Sequence, residues 1–477
     1  MIQDTQLAKD LYYSYENFKE KSISGRRFKH SDIKPLIERL KNTDIFKVEK
    51  AGESAQNREI YLVKLGYGKT KLFLWSQMHG DEPTATAALL DIFNFFIDKN
   101  SFHEFKSFIL SKLSIYFLPM VNPDGAELFQ RRNIFEVDVN RDAVGQQTPE
   151  GKLLKTTFES LKADFGFNLH DQGRNYSAGN SFKSAAISFL APSPDHNRTI
   201  TPVRQNAMKL ISHLFTTLNE FIPGHIAKYT DEYEPRAFGD NFTTWGTSTV
   251  LIESGGWKDD REKQFLRKMN YIAILTSFKS IADELYKIQD IGIYNSIPEN
   301  KELMMDLILR NLKIKNDKVE YLIDIGINYE EININGAKEF YYQSIIEDIG
   351  DLSVYAGYQE LDLNDTTVEA GKTHSQIFNT ENELHNINVI ELFNNGCTNV
   401  ILNSSSFEKE FSPLPFNIIL SDRKIDSDQI KVESIPNLII RKNAIVKYTV
   451  VNGFLFDVET PENKTGNALV LKGINTK

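Results

Sequence analysis

The sequence carries a single cysteine, Cys397, among 477 residues. One thiol cannot close an internal bridge, so a disulfide-stapled scaffold is excluded. Long apolar runs are also missing. The most apolar stretch, about Ala85–Ile97, is broken by Asp91 and Asn94, and a bilayer-spanning helix needs ~20 apolar residues. The first residues, Met1-Ile2-Gln3-Asp4, show no basic segment followed by an apolar one. No export signal is read there, and the expected compartment is the cytoplasm. Positive charge is in deficit, with 55 Lys/Arg against 65 Asp/Glu. That balance argues against nucleic acid or an anionic membrane surface as the main partner. Nothing in the composition speaks to oligomeric state.

What is present is an ordinary globular balance, 41% hydrophobic and 25% charged. It excludes disorder, collagen and coiled-coil arrays as whole-chain descriptions. Length alone allows two to three domains. The charge is unevenly placed: residues 291–477 hold 17 Lys/Arg and 28 Asp/Glu, whereas residues 1–290 hold 38 and 37. The acidity therefore belongs to the last two-fifths of the chain, where it reads as a solvated surface. Two domains are expected, 1–290 and 291–477.

Residues 1–50 read as helical and polar. An α/β rhythm follows, with strands at Ile60–Leu65, Lys71–Gln77, Ile115–Pro119, Gly166–His170 and Thr249–Glu253, and helices at Thr84–Ile97 and Met208–Phe221. Phe265, Met269, Ile272, Leu275, Phe278, Ala282 and Leu285 recur at helical spacing and form one apolar stripe. Strands alternating with helices predict an α/β fold with a mixed, mostly parallel central sheet and helices on both faces. Beyond Ile293 a smaller β-rich domain is expected. It opens with a helix at about Lys301–Asn311, followed by strands near Tyr321–Ile327, Val389–Leu392, Asn399–Leu402, Asn417–Leu420 and Val446–Val451.

Four polar clusters stand at the ends of predicted strands: Trp75–Pro83, Asn122–Gly125 with Arg131 and Asp138–Arg141, Phe167–Gln172, and Leu251–Gly256. Ligands of open α/β sheets bind beyond the carboxyl ends of the strands, so the clusters should converge. His79 and Glu82, three residues apart in a turn, can approach one cation, and His170 can supply a third ligand. Two His and one Glu with an open fourth position make a catalytic zinc set. Glu253 is placed to take a proton from a water activated by the metal. Arg131 and Arg141 can hold anionic oxygen, and Asp138 can fix the tautomer of a ligand histidine. His30, His103, His196, His213, His225, His374 and His385 have no companions at ligand spacing.

As an ordered set these residues resemble the zinc carboxypeptidase family, peptidase family M14 of the carboxypeptidase A type, over roughly residues 50–290. The family's His-x-x-Glu matches His79–Glu82, its Asn-Pro-Asp-Gly matches Asn122–Gly125, and its Asp-Leu-Asn-Arg appears as Asp138-Val139-Asn140-Arg141. The resemblance implies one Zn²⁺ per chain on His79, Glu82 and His170, with Glu253 as general base. Arg131, rather than its neighbour Arg132, would stabilise the oxyanion. Asn140 and Arg141 would grip the substrate's terminal carboxylate, and Asp138 would support the first histidine. The family's mobile tyrosine matches Tyr233, with Tyr229 as runner-up. A specificity position falls near Gly239-Asp240, but no side-chain preference is readable. The Gly80-Asp81 pair between the ligands departs from the digestive enzymes and is closer to bacterial and amidase-like branches. The implied activity is that of a metallocarboxypeptidase acting on a peptide or peptide-like substrate with a free carboxylate. The alternative is a zinc amidase or deacylase of the same fold, acting on cell-wall peptides or N-acyl amino acids. An inactive binding protein is disfavoured, because ligands, base and anion-binding arginine are all present.

Overall fold

The computed structural model describes residues 2–315, 319–403, 409–420, 429–459 and 466–471. The chain divides into two compact units, Met1–Glu302 and Leu303–Lys477.

The first unit contains strands β1 (Phe46–Glu53), β2 (Glu59–Leu65), β3 (Thr70–Ser76), β4 (Leu113–Leu118), β5 (Phe165–Asp171), β6 (Ser177–Ala178), β7 (Ile187–Leu190), β8 (Ile226–Lys228), β9 (Ser248–Ser254) and β10 (Asn300–Lys301). Eight of them form one mixed sheet in the order β1-β2-β4-β3-β5-β9-β7-β8, while β6 and β10 pair with each other. The central strands β4, β3, β5 and β9 run parallel. From β3 the chain goes to β4 on one side, and β5 later joins on the other. The carboxyl ends of β3 and β5 thus flank the point where the winding reverses, which is where open α/β sheets bind ligands.

Each central strand is buried on both faces. In β3, Leu72 and Leu74 belong to one hydrophobic cluster, whereas Phe73 and Trp75 belong to the other. The first cluster is roofed by helices α1 (Ile2–Ser14), α2 (His30–Glu38), α3 (Thr84–Ile97), α4 (His103–Lys112), α7 (Pro202–Leu218) and α9 (Gln264–Ala282). The second lies under α6 (Pro149–Leu161) and α8 (Phe238–Thr244), where Phe158 and Phe242 pack 4.3 Å apart between ring centres. The short helices α5 (Pro123–Leu128) and α10 (Ile291–Ser296) complete the unit.

The polar breaks of the apolar stretch 85–97 have a structural use. Asp91 is fully buried and pairs with the equally buried Arg267 of α9. It also accepts from the Tyr15 hydroxyl at 2.8 Å and the Glu20 amide at 2.7 Å, and Arg267 donates to the Ile23 and Glu20 carbonyls. One ion pair therefore ties α3 and α9 to the N-terminal segment.

Several expectations need correction. The boundary falls after Glu302, not after residue 290. Residues 291–302 stay with the first unit because α10 packs on α7, with the Tyr294 amide donating to Ser212 Oγ, and because β10 pairs with β6. The stripe on α9 ends at Ala282, and Leu285 lies in a separate turn of 3₁₀ helix. The expected helix at Lys301–Asn311 is instead a strand, Met304–Lys315, with Met304 to Leu309 all buried. A run buried on both faces shows no period that separates strand from helix. Val389–Asn394 is a helix, not a strand, because the Asn388 side chain caps it by accepting from the Glu391 amide.

The second unit is β-rich. Among the described residues it holds an eight-stranded sheet built around Met304–Lys315, Glu320–Ile334 and Glu339–Gly350, and a five-stranded sheet that includes Cys397–Leu402 and Asn417–Leu420. Cys397 is buried, and burial raises its thiol pKa.

Candidate active site

The site starts with the way the chain leaves β3. Gln77 adopts a left-handed backbone, φ 52°, a conformation that costs a non-glycine residue ~1–3 kcal/mol. Its side-chain amide donates to the Gly80 carbonyl at 3.0 Å and closes the turn. A Cβ on Gly80 would lie 2.0 Å from the Gly125 carbonyl carbon, so the turn carrying His79 and Glu82 rests directly on the Asn-Pro-Asp-Gly backbone. Asn122 accepts from the Gly125 amide and donates to the Met78 carbonyl. Asp124, fully buried, accepts from Ser54, Gln56 and Arg58 at 2.6–2.8 Å. The motif is thus a foundation for the metal turn rather than a reacting group.

On this foundation three donors meet. His79, Glu82 and His170 are all buried, and one ligand atom from each lies within 4.8 Å of the other two. The two carboxylate oxygens of Glu82 each take a histidine, His79 Nδ1 at 2.7 Å and His170 Nδ1 at 2.7 Å. Asp138 lies behind, with Oδ1 3.1 Å from His79 Nε2. That leaves Nδ1 as the metal-facing nitrogen. Zinc binds such donors at ~2.0–2.2 Å, and the donor types, spacing and supported tautomer all suit it. No other His, Cys, Asp and Glu group of this kind occurs among the described residues. His30 and His225 bond instead to the carbonyls of Glu59 and Ser184.

Glu253 enters from β9, whose register sets it directly beside His170 of the parallel β5. Its Oε2 is shielded from solvent and has no hydrogen-bond partner. Burial, then the charge of Glu82, holds its carboxyl well above the usual range. The charges of His79 and Lys263 pull the other way.

Arg131 lies beside the donors, 3.3 Å from Glu82 and 3.0 Å from Asp138. Arg132 turns away to the Glu136 carbonyl. Asn140 and Arg141 stand in a short 3₁₀ turn capped by Asp138, which accepts from the Asn140 amide. Asn140 Oδ1 takes the Phe238 amide, and Arg141 pairs with Glu234 at 3.2 Å. Asp240, at the start of α8, is buried; burial pushes its carboxyl up to about 7.

The two candidate tyrosines have different surroundings. Tyr233 packs edge-on against His196, 4.9 Å between ring centres. Tyr229 is the one within electrostatic reach of the centre. Burial raises its hydroxyl pKa first, and the charge of Glu253 raises it further, with Glu82 and Arg131 also acting on it. Spacing along a loop could not decide this, because the loop between β8 and α8 has no periodic structure.

Sequence reasoning also missed a clip behind the site. Lys263 Nζ, nearly buried, donates to the Ser254 carbonyl at 2.8 Å and the Gln172 carbonyl at 3.2 Å, and pairs with Asp171 at 3.3 Å. Thr84 donates to the same Asp171 carboxylate. One ammonium thus holds together the ends of the strands bearing His170 and Glu253. Lys263 follows Glu253 by ten residues but is far from His170 in sequence, and it belongs to no motif.

Residues 33–210 match the model of the family Peptidase_M14, zinc carboxypeptidase. Carboxypeptidase SOL1 of Arabidopsis thaliana is 28% identical over 103 residues, 20% of this chain and 21% of that protein. Carboxypeptidase 2 of Trichophyton tonsurans is 28% identical over 114 residues, 24% of this chain and 20% of that protein. The chain therefore spans only a fifth of the length of these curated relatives. Among solved structures, a metallo-carboxypeptidase from Burkholderia cenocepacia has 14% identity and a TM-score of 0.43, covering 53% of this chain and 70% of that one. A metallo-carboxypeptidase from Pseudomonas aeruginosa, in complex with (2-guanidinoethylmercapto)succinic acid, has 18% identity and a TM-score of 0.41, covering 54% and 70%. The matched segment contains His79, Glu82, Arg131, Asp138, Asn140, Arg141 and His170, while Glu253 lies beyond it and joins the group through the sheet. Residues 33–210 are thus similar to the zinc carboxypeptidase family of metallopeptidases.

Proposed function

We propose that the chain is a zinc-dependent metallocarboxypeptidase that hydrolyses the C-terminal bond of a peptide or peptide-like substrate. The observation that carries this reading is the register of β5 and β9, which sets Glu253 beside the His79–Glu82–His170 donor group. His79, Glu82 and His170 would hold zinc, which when bound would supply a Lewis acid for a carbonyl and lower the pKa of water.

The residues then divide the work. Glu253, desolvated and raised in pKa, accepts a proton from the attacking water and returns it to the leaving amine. Arg131 lends positive charge where the carbonyl oxygen becomes an oxyanion. Arg141, with Asn140, receives the substrate's terminal carboxylate. Asp138 keeps His79 in the tautomer that turns Nδ1 to the metal. Tyr229, which feels the charge of Glu253, takes the role of the family tyrosine in this reading.

Purified protein should hold about one zinc per chain and cleave N-acylated dipeptides. Glu253→Gln should lower kcat by ~10²–10⁴ without loss of zinc, and His170→Ala should lose the metal. Hydrolysis that survives Glu253→Gln would overturn the mechanism.

A further inference from the structure

We propose that Glu234 is a built-in competitor for the substrate's terminal carboxylate, so that binding is an exchange of one carboxylate for another on Arg141. The inference rests on Arg141 being the carboxylate-binding group proposed above.

The geometry is specific. Glu234 stands in the segment between β8 and α8, with its amide donating to Asp240 Oδ1 at 3.2 Å. Its Oε2 faces Arg141 Nε at 3.2 Å and Arg236 Nη2 at 3.1 Å. Its Oε1 accepts from Arg236 Nε and the Arg236 amide, both at 3.1 Å. A carboxylate held between two guanidiniums is the arrangement that a peptide's C-terminus would seek there. The side chains of Arg141 and Glu234 are 35% and 31% exposed, so a solute reaches both.

The exchange leaves no charge stranded. When a substrate carboxylate takes Arg141, Glu234 keeps its contacts to Arg236. The arginine meant to select free C-termini is therefore neutralised in the resting protein, and its affinity is set by how readily Glu234 yields. A substrate with an amidated end has no carboxylate to exchange and is insensitive to Glu234.

A panel of N-acyl dipeptides varied at the last residue, each with a free carboxylate and as its amide, tests this. Glu234→Gln should lower KM for the free acids by about fivefold, the scale of a partly exposed ion pair. It should leave kcat, and both constants for the amides, unchanged. Glu234→Ala should act in the same direction. If Arg141→Gln raises KM for the acids but neither Glu234 variant lowers it, or the amides improve equally, the exchange is wrong while the carboxylate site stands. If Arg141→Gln leaves KM for the acids unmoved, the carboxylate reading fails and takes the exchange with it.

Discussion

At the scale of single residues, His79 holds the most exposed balance in the site. Burial alone would depress its pKa, but the charge of Glu82 and the hydrogen bond to Asp138 outweigh burial and raise it to about 9 in the metal-free chain. His170 goes the other way, lowered chiefly by burial, so it offers a free lone pair at neutral pH. Zinc must then displace one proton, the one on His79. Its apparent affinity should rise about tenfold per pH unit as the pH climbs toward about 9, then level off. Calorimetry in buffers of different ionisation enthalpy would read the released proton, and a pH-independent affinity would refute this balance. The sign for the metal-free fold is opposite. A pKa raised on folding contributes stability that is complete below 6.5 and fades as pH climbs through about 9. The ligands themselves were legible in the sequence because His-x-x-Glu and a strand-end histidine are local patterns. Glu234 and Lys263 were not, because their roles come from partners that only the fold brings near.

At the scale of elements, the buried Asp91–Arg267 pair decides how α3, α9 and the N-terminal segment stay together. Removing one partner strands the other charge without solvent. Arg267→Met alone should cost about 3–5 kcal/mol, whereas Arg267→Met with Asp91→Leu should recover much of that loss. Urea unfolding of the single and double variants would measure both, and additive costs would show that the two residues are not coupled. Legibility of elements followed the same physics. Helix Thr84–Ile97 was readable end to end, because Pro83 precedes its start and no Gly or Pro interrupts its mostly apolar run. Strand Met304–Lys315 was misread, since burial on both faces erases its period, and Val389–Asn394 was misread because the Asn388 cap outweighs its β-branched start.

At the scale of the whole molecule, the two units should respond differently to metal. All three tryptophans, Trp75, Trp245 and Trp257, lie in the first unit, as does the donor group. Tryptophan fluorescence should therefore follow that unit alone, and its thermal transition should move up with zinc. A free zinc level a hundredfold above Kd adds about 2.7 kcal/mol. Far-UV circular dichroism, which sees both units, should show a second component that zinc leaves in place. One shared transition, shifted as a whole, would mean that the units unfold together. The sheet order has a consequence for how such a chain is made. Strand β9 is synthesised after β5, β7 and β8, yet it is inserted between β5 and β7. A nascent chain therefore carries His79, Glu82 and His170 long before it carries Glu253. Its sheet has a gap in the middle until β9 slots in, so the strand that closes the sheet is also the one that brings Glu253 beside His170.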